Sequence, residues 1–192
     1  MSIKKDKLTP EELEAKKLAN RREAYDWIQC LAGALIVCVL MFVFLFRVID
    51  VKGSSMVPTL KNQDKMLVSD LFYKPKKGDV IVFKKDEYDP NKALVKRVIA
   101  TGGDKINIDF DQGIVYVNDE PLKEDYIADL TRTKLDFIGP KDVPEGCVFV
   151  MGDNRNMSTD SRKAEINMVD SRLIIGHVQC VLFPFKSFGL VK

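Results

Sequence analysis

The stretch WIQCLAGALIVCVLMFVFLF, residues 27–46, has no charged residue and divides the chain into two unlike parts. At about 1.5 Å of rise per residue, a helix of this length spans roughly 30 Å, the thickness of the hydrocarbon core of a bilayer. A buried helix of a globular core would carry a polar stripe, whereas Gln29 is the one strongly polar residue here. The stretch therefore predicts a single transmembrane helix between an N-terminal segment, 1–26, and a domain, 47–192.

A cleavable signal sequence is the other interpretation of residues 27–46. Signal sequences have apolar cores of about 7–15 residues, followed by small residues at the cleavage site. The present run is longer, and RVIDVK, residues 47–52, lacks the small-x-small pattern. We therefore expect the helix to remain as an anchor in the cell membrane.

Basic residues are concentrated before the predicted helix, with acidic residues mixed among them. Basic flanks remain on the cytoplasmic side, and long domains cross the membrane largely regardless of their charge. We therefore expect residues 1–26 to be cytoplasmic and residues 47–192 to be extracytoplasmic. The basic residues are Lys4, Lys5, Lys7, Lys16, Lys17, Arg21 and Arg22.

The composition argues against several classes of function. The net charge is +2, and no basic stripe alternates with aromatic residues, so we expect no nucleic-acid partner. With His177 as the single histidine and no CxxC pair, we expect neither a metal nor a cofactor. Cys147 and Cys180 lie in the outer domain, and the sequence leaves open whether they form a disulfide.

Short apolar runs separated by turn residues dominate the chain after the anchor, and they predict β-strands. No strong amphipathic helix separates these runs, which argues against βαβ units and a parallel sheet. We therefore expect a mainly β domain, with one short helix over 161–173. The predicted strands cover 65–69, 79–83, 94–99, 105–108, 113–117, 147–151 and 174–182.

The segment KGSSMVPTL, residues 52–60, is the first of three polar islands. Gly53 permits a sharp turn and Pro58 blocks a helix, so Ser54 and Ser55 are held on a fixed loop. Such a loop is by itself more typical of an ordinary turn than of a nucleophile. A serine–histidine dyad would need His177, which lies in a late apolar strand far from any motif.

The second island is LVKRVI, residues 94–99. On a strand, Lys96 shares one face with Leu94 and Val98, while Arg97 points to the other face and needs an acid of its own. Deprotonating a lysine of ordinary pKa, about 10.4, costs roughly 4.6 kcal/mol at pH 7. Burial lowers the pKa of an amine enough to remove most of that cost and leave a base. An edge-strand lysine that extends to solvent is the alternative.

The third island, GDNRNMSTDSR at residues 152–162, places hydroxyls, amides and both signs of charge directly after an apolar strand. It fits a functional site and a structural hydrogen-bond network equally well.

In this order behind one anchor, GSSMVPTL, GDVIVF, LVKRVIATGGDKI and GDNRNMSTDSR resemble the motifs of the bacterial type I signal peptidases, the membrane-anchored serine/lysine leader peptidases. The resemblance covers the anchor and most of the outer domain. It implies an antiparallel β catalytic domain whose active site faces the membrane. It also implies hydrolysis of the peptide bond after the signal sequence of exported preproteins, with small side chains one and three residues before the cut.

The resemblance also implies roles for individual residues. It implies that Ser55 is the nucleophile, that Lys96 is the general base and that Ser158 hydrogen-bonds the Lys96 amine. The expected supporting ion pairs are Asp153 with Arg97 and Asp160 with Arg162. The residues expected to line shallow substrate pockets, beside which a substrate strand adds to the sheet edge, are Ile49, Val51, Met56, Val82 and Val95.

One position departs from some relatives, which carry a serine two residues before the nucleophile to help bind the oxyanion. Gly53 stands there and has no hydroxyl. We therefore expect the backbone N–H of Ser55, with a second main-chain donor that the sequence does not identify, to bind the oxyanion.

Two other interpretations fit parts of the sequence. Self-cleaving repressors share a Ser-Met followed by a Lys-Arg strand, but they carry a DNA-binding head instead of an anchor. The second interpretation is a catalytically silent, membrane-anchored module that binds exported chains. The joint presence of Ser55, Lys96 and Ser158 argues against it.

Overall fold

The computed structural model describes residues 9–191, without the side chains of Leu13 and Ala15. The chain divides into two compact units, the first ending at Phe44 and the second beginning at Leu45. Part of the predicted cytoplasmic segment, including Lys4, Lys5 and Lys7, lies outside the described residues.

The described residues of the first unit lie in a single helix, α1, Pro10–Leu45, whose last residue already belongs to the second unit. A capping box starts it, since Thr9 N donates to Glu12 Oε2 at 2.8 Å and Glu12 N donates to Thr9 Oγ1 at 3.4 Å. Its most apolar window has a mean hydropathy of 2.7 and is not buried by other parts of the described chain. The helix is therefore long and apolar enough to span a membrane. It ends one residue before the predicted Phe46, which begins a strand instead.

The second unit is built from two antiparallel sheets. Its twelve strands are β1 Phe46–Asp50, β2 Lys65–Ser69, β3 Val80–Lys84, β4 Ala93–Thr101, β5 Lys105–Asp109, β6 Ile114–Val117, β7 Glu120–Pro121, β8 Lys141–Asp142, β9 Cys147–Met151, β10 Val169–Asp170, β11 Ile174–Phe183 and β12 Gly189–Leu190. The larger sheet has the order β1-β2-β11-β3-β4-β9-β10, with β12 on β11, and the smaller has the order β7-β6-β5-β8. This architecture confirms the predicted mainly antiparallel β fold.

The register of the larger sheet forms one row of residues across five strands. Phe46 pairs with Ser69, Ser69 with His177, His177 with Ile81, and Ile81 with Lys96. β9 pairs with β4 only from Arg97 onward. The first half of β4 therefore pairs with β3 on one side and has no pairing with β9 on the other.

The core consists of three apolar clusters between and around the sheets. One of them includes Met56 and Leu60 from the loop after β1, so burial of these two side chains fixes that loop against the sheet. Alternating burial along β5 and β6 explains why the period-2 pattern predicted them.

Two sequence expectations concern the end of the chain. The helix predicted over 161–173 is wrong, because turns and the short strand β10, Val169–Asp170, occupy this interval and only Ser171–Leu173 form a 3-10 turn. Asn167 adopts a φ of 45°, which interrupts any helix there. Cys147 and Cys180, whose pairing the sequence left open, are free thiols.

Candidate active site

The loop after β1 holds Ser55 through contacts at both of its ends. Gly53 has a φ of 95° and donates its N–H to Asn62 Oδ1 at 2.9 Å. The carbonyl of Ser55 accepts from Asn154 N at 3.0 Å, and the carbonyl of Ser54 accepts from Asn154 Nδ2 at 3.2 Å. The third polar island thus fixes the backbone of the first.

Lys96 reaches this serine from β4. Its Nζ lies 2.7 Å from Ser55 Oγ and donates to the carbonyl of Val95 at 2.9 Å. The residue is 3% exposed. Its strand partner Ile81 packs in one apolar cluster with Leu94 and Val98. The lysine is therefore a buried amine in hydrogen-bond contact with a serine hydroxyl.

Burial lowers the pKa of Lys96 from 10.5 to about 8. The apolar surroundings disfavour the charged ammonium, while the carboxylates of Asp160 and Asp153 favour it and limit the fall. Arg162 adds a smaller effect that lowers the pKa. A substantial fraction of this amine is neutral near neutral pH, which a general base requires.

Arg97, which strand alternation places on the face opposite Lys96, forms an ion pair with an acidic residue, as expected. Its Nε donates to Asp153 Oδ1 at 2.8 Å and its Nη2 to Asp153 Oδ2 at 2.7 Å, with both side chains buried. Thr59 Oγ1 adds a bond to Asp153 Oδ2 at 2.5 Å, and Gly78 O accepts from Arg97 Nη1 at 2.7 Å. This bidentate pair ties the third island to β4 and to the serine loop.

A second buried ion pair closes the third island on itself. Arg162 donates from Nε to Asp160 Oδ1 and from Nη2 to Asp160 Oδ2, both at 2.8 Å. Asp160 Oδ2 also accepts from Gly152 N at 3.1 Å, and Arg162 Nη1 donates to Thr133 O at 2.8 Å. Asp160 is consequently held close enough to influence Lys96.

The structure does not contain the predicted hydrogen bond between Ser158 and Lys96. Ser158 Oγ is buried and has no hydrogen-bond partner among the residues that the structure describes. The amine is instead turned toward Ser55 and the carbonyl of Val95. Ser158 nevertheless packs at the site, since a Cβ atom on Gly152 would collide with Ser158 Oγ and lie 2.5 Å from the Ser55 carbonyl oxygen.

The sequence reasoning missed a further buried network around Arg155. Its Nη2 lies 2.5 Å from Glu124 Oε1, and its Nη1 donates to Thr131 Oγ1 at 2.9 Å. The ring of Tyr126 lies 4.1 Å from the Arg97 guanidinium. Glu124 and Tyr126 come from a polar loop with no periodicity, so only their tertiary contacts identify them.

A cleft of about 600 Å³ opens beside the serine and the lysine. Four of the five predicted pocket residues line it: Ile49, Val51, Met56 and Val95. Val82 does not line it, because it is fully buried in the cluster behind, paired with Val95. The unpaired side of β4 at Ala93–Lys96 also borders the cleft.

His177 belongs to a different part of the second unit. Its ring stacks on Tyr73 with centroids 5.1 Å apart, its Nε2 lies 3.8 Å from Asp79 Oδ1, and its Nδ1 contacts Gln179. No group of three metal-ligating side chains occurs in the part of the chain covered by the structure.

An antiparallel β fold in which a buried lysine contacts a loop serine is typical of the serine peptidases that use a lysine base. The sequence profile described as "Signal peptidase, peptidase S26" matches residues 24–183. The chain belongs to this family and is a serine peptidase. A catalytically silent binding module is accordingly not supported.

Two relatives of known sequence agree with this assignment. The signal peptidase I of Bacillus licheniformis is 34% identical over 189 residues, covering 91% of this chain and 96% of that protein. A probable signal peptidase I-1 of Synechocystis sp. is 36% identical over 171 residues, covering 84% of each chain. A crystal structure of a signal peptidase I from Enterococcus faecalis V583 has 28% identity and a TM-score of 0.44, covering 55% of this chain and 97% of that one.

Proposed function

We propose that this chain removes signal peptides from exported preproteins, with Ser55 as the nucleophile and Lys96 as the general base. The observation that carries the proposal is the 2.7 Å contact between the buried Lys96 Nζ and Ser55 Oγ. A serine hydroxyl is a weak nucleophile until an adjacent base takes its proton. An amine whose pKa is about 8 performs that task near neutral pH.

The reaction proceeds in two halves. Neutral Lys96 accepts the proton of Ser55 Oγ while the oxygen attacks the scissile carbonyl, and the resulting ammonium then protonates the departing amine. In the second half, Lys96 takes a proton from water, the water oxygen attacks the acyl-enzyme, and the proton returns to Ser55 Oγ. The backbone N–H of Ser55 is the proposed oxyanion donor, since Gly53 offers no hydroxyl.

The cleft supports the proposed preference for small side chains before the cut. Ile49, Val51, Met56 and Val95 form a shallow apolar wall, which accepts alanine and excludes larger groups on steric grounds. An extended substrate would pair with the open side of β4 at Ala93–Lys96. Asp153, Arg97, Asp160, Arg162 and Ser158 then act as supports for the catalytic pair and not as reacting groups.

The proposed location is a cell membrane spanned once by residues 27–46, with the N-terminus cytoplasmic and residues 47–192 extracytoplasmic. Exposed apolar side chains close to the cleft support a lipid-facing active site. Phe183 pairs with Lys65, which in turn pairs with the cleft residue Asp50. The exposed residues around it are Phe185, Phe188 and Leu190.

The test is cleavage of an exported precursor by the purified full chain, with N-terminal mapping of the product. Ser55→Ala and Lys96→Ala should each abolish cleavage, because each removes one half of the reacting pair. Ser54→Ala and His177→Ala are the matched controls and should retain most of the activity. Full activity in Lys96→Ala would rule out the proposed base.

A further inference from the structure

The third polar island has an inverted pattern of burial. Met157 is the single hydrophobic residue of GDNRNMSTDSR, residues 152–162, and it is also the single exposed residue of that segment, at 72%. The charged residues on either side of it are buried in ion pairs. Hydrophobic residues are more often buried and charged residues more often exposed. Burial in the core therefore does not explain the methionine at this position.

The backbone that carries Met157 is held in place. Met157 closes a short 3-10 turn and donates its N–H to the carbonyl of Asn154 at 3.0 Å. The preceding residue, Asn156, accepts at Oδ1 from the N–H groups of Arg132 and Thr133, both at 3.1 Å. The methionine side chain therefore projects to solvent from a fixed turn and not from a free loop.

This turn lies next to the proposed nucleophile. Ser158, which follows Met157, and the carbonyl of Ser55 both border the space that a Cβ on Gly152 would occupy. Because neighbouring Cα atoms are about 3.8 Å apart, the Met157 Cα lies within roughly 11 Å of the Ser55 carbonyl oxygen. An extended peptide spans that distance in about three residues. None of residues 152–162 lines the cleft, so Met157 is close to the serine but outside the cleft.

The larger sheet limits the path of a bound substrate beyond the scissile bond. In the proposed mode of binding, the residues before the cut lie in the cleft along Ala93–Lys96 of β4. From Arg97 onward the same side of β4 is occupied by β9, whose Met151 pairs with Arg97. The space between the serine loop and the third island is also closed, since Asn154 N donates to the carbonyl of Ser55 at 3.0 Å. The residues after the cut must therefore cross the outer surface of the third island.

We propose that Met157 binds the first residues after the cut, which form the N-terminus of the mature protein. This inference rests on the proposed function and adds a binding site for the other side of the scissile bond. A methionine side chain is unbranched, flexible and polarizable, so it can contact mature N-termini of different sequence. The backbone of Leu130, which is 48% exposed, lies nearby, because Asn156 Nδ2 donates to its carbonyl at 3.1 Å. The contact helps to hold the scissile bond against Ser55 until the departing amine is released.

The test compares two substrates that share the residues before the cut. One continues with several mature residues, and the other carries a methyl ester in their place, which offers no side chain to Met157. Met157→Ala should lower kcat/KM for the peptide about three- to tenfold, because an apolar contact is lost, and should leave kcat/KM for the ester unchanged. Met157→Leu should restore most of the rate on the peptide. Ile138→Ala is the matched control and should retain both rates, since Ile138 is 77% exposed and belongs to the segment before β8 of the smaller sheet.

The outcomes separate the inference from its basis. An unaltered chain that cleaves neither substrate would refute the proposed function and this inference with it. If the unaltered chain cleaves both, equal losses on peptide and ester in Met157→Ala would refute the inference alone, because the methionine would then support the catalytic pair. Unchanged rates on both substrates, or an equal loss on the peptide in Ile138→Ala, would also overturn it.

Discussion

The pH dependence of cleavage is the sharpest test of the buried amine. We expect kcat/KM to rise about tenfold per pH unit below pH 8 and to level off above it, because only neutral Lys96 accepts the serine proton. The assay is cleavage of a soluble peptide without titratable groups, measured from pH 6 to 10.5 at constant ionic strength. Under these conditions kcat/KM reports ionisation of the free enzyme.

The magnitude follows from the two pKa values of the lysine. With a pKa of about 8, roughly one molecule in ten carries the neutral amine at pH 7. With the ordinary value of 10.5, only about three molecules in ten thousand would do so. Burial of Lys96 therefore accounts for an advantage of about 300-fold at pH 7.

A rate that keeps climbing to pH 10 would refute this reasoning, because it would mean that the lysine titrates as an exposed amine. A flat profile would contradict the assignment of Lys96 as the base. Lys105→Ala is the matched control, since Lys105 is a half-exposed lysine paired with Asp119 on the smaller sheet. Removal of the Lys105 side chain should leave the midpoint of the pH profile of kcat/KM unchanged.

Three other substitutions test the surroundings of the catalytic pair. Folding lowers the pKa of Lys96, so the charge on this lysine opposes folding, and it does so fully below pH 8. Lys96→Met should therefore raise the free energy of unfolding at pH 7 by about 1–3 kcal/mol in urea titrations, with no gain above pH 10.5. A lower free energy of unfolding at pH 7 would contradict the cost of burying the charged amine. Gly152→Ala adds a Cβ that collides with the buried serine hydroxyl and crowds the nucleophile's carbonyl, so kcat/KM should fall about 100-fold while circular dichroism stays unchanged. Gly189→Ala, whose Cβ meets nothing within 4 Å, is its control, and equal activity of the two variants would refute the steric argument. Tyr126→Leu removes the ring over Arg97 and should lower the free energy of unfolding by about 1–2 kcal/mol; a neutral result would show that the stacking is incidental.

The sequence predicted those parts of the fold and site that depend on local pattern. Alternation and turn residues were enough to predict β4, and they placed Lys96 and Arg97 on opposite faces. In the structure Lys96 lies opposite Ile81 and Arg97 opposite Val80, which belong to different apolar clusters. β1 was missed because its first residue continues the apolar run of the anchor without a turn signal.

Other features depend on contacts between distant loops. The Glu124–Arg155 pair joins residues 31 apart, and neither residue lies in a periodic segment. The sequence also could not predict the direction of the Lys96 side chain, because the amine contacts Ser55 and the Val95 carbonyl instead of Ser158. The predicted helix over 161–173 failed because the local backbone follows the Asp160–Arg162 pair and a left-handed Asn167.

Two buried arginines hold the acids that lie close to Lys96, while desolvation keeps the pKa of the amine below its ordinary value. The carboxylates of Asp160 and Asp153 both favour the ammonium, so unpaired they would return the pKa of Lys96 toward its ordinary value. Each carboxylate is instead engaged by a bidentate guanidinium, Arg162 and Arg97 respectively. Arg162 acts on the amine in the opposite sense to the carboxylates, and desolvation remains the largest cause of the lowered pKa. The same ion pairs fix the third polar island, whose Asn154 holds the backbone of the serine loop. Loop position and amine pKa are therefore set by one network.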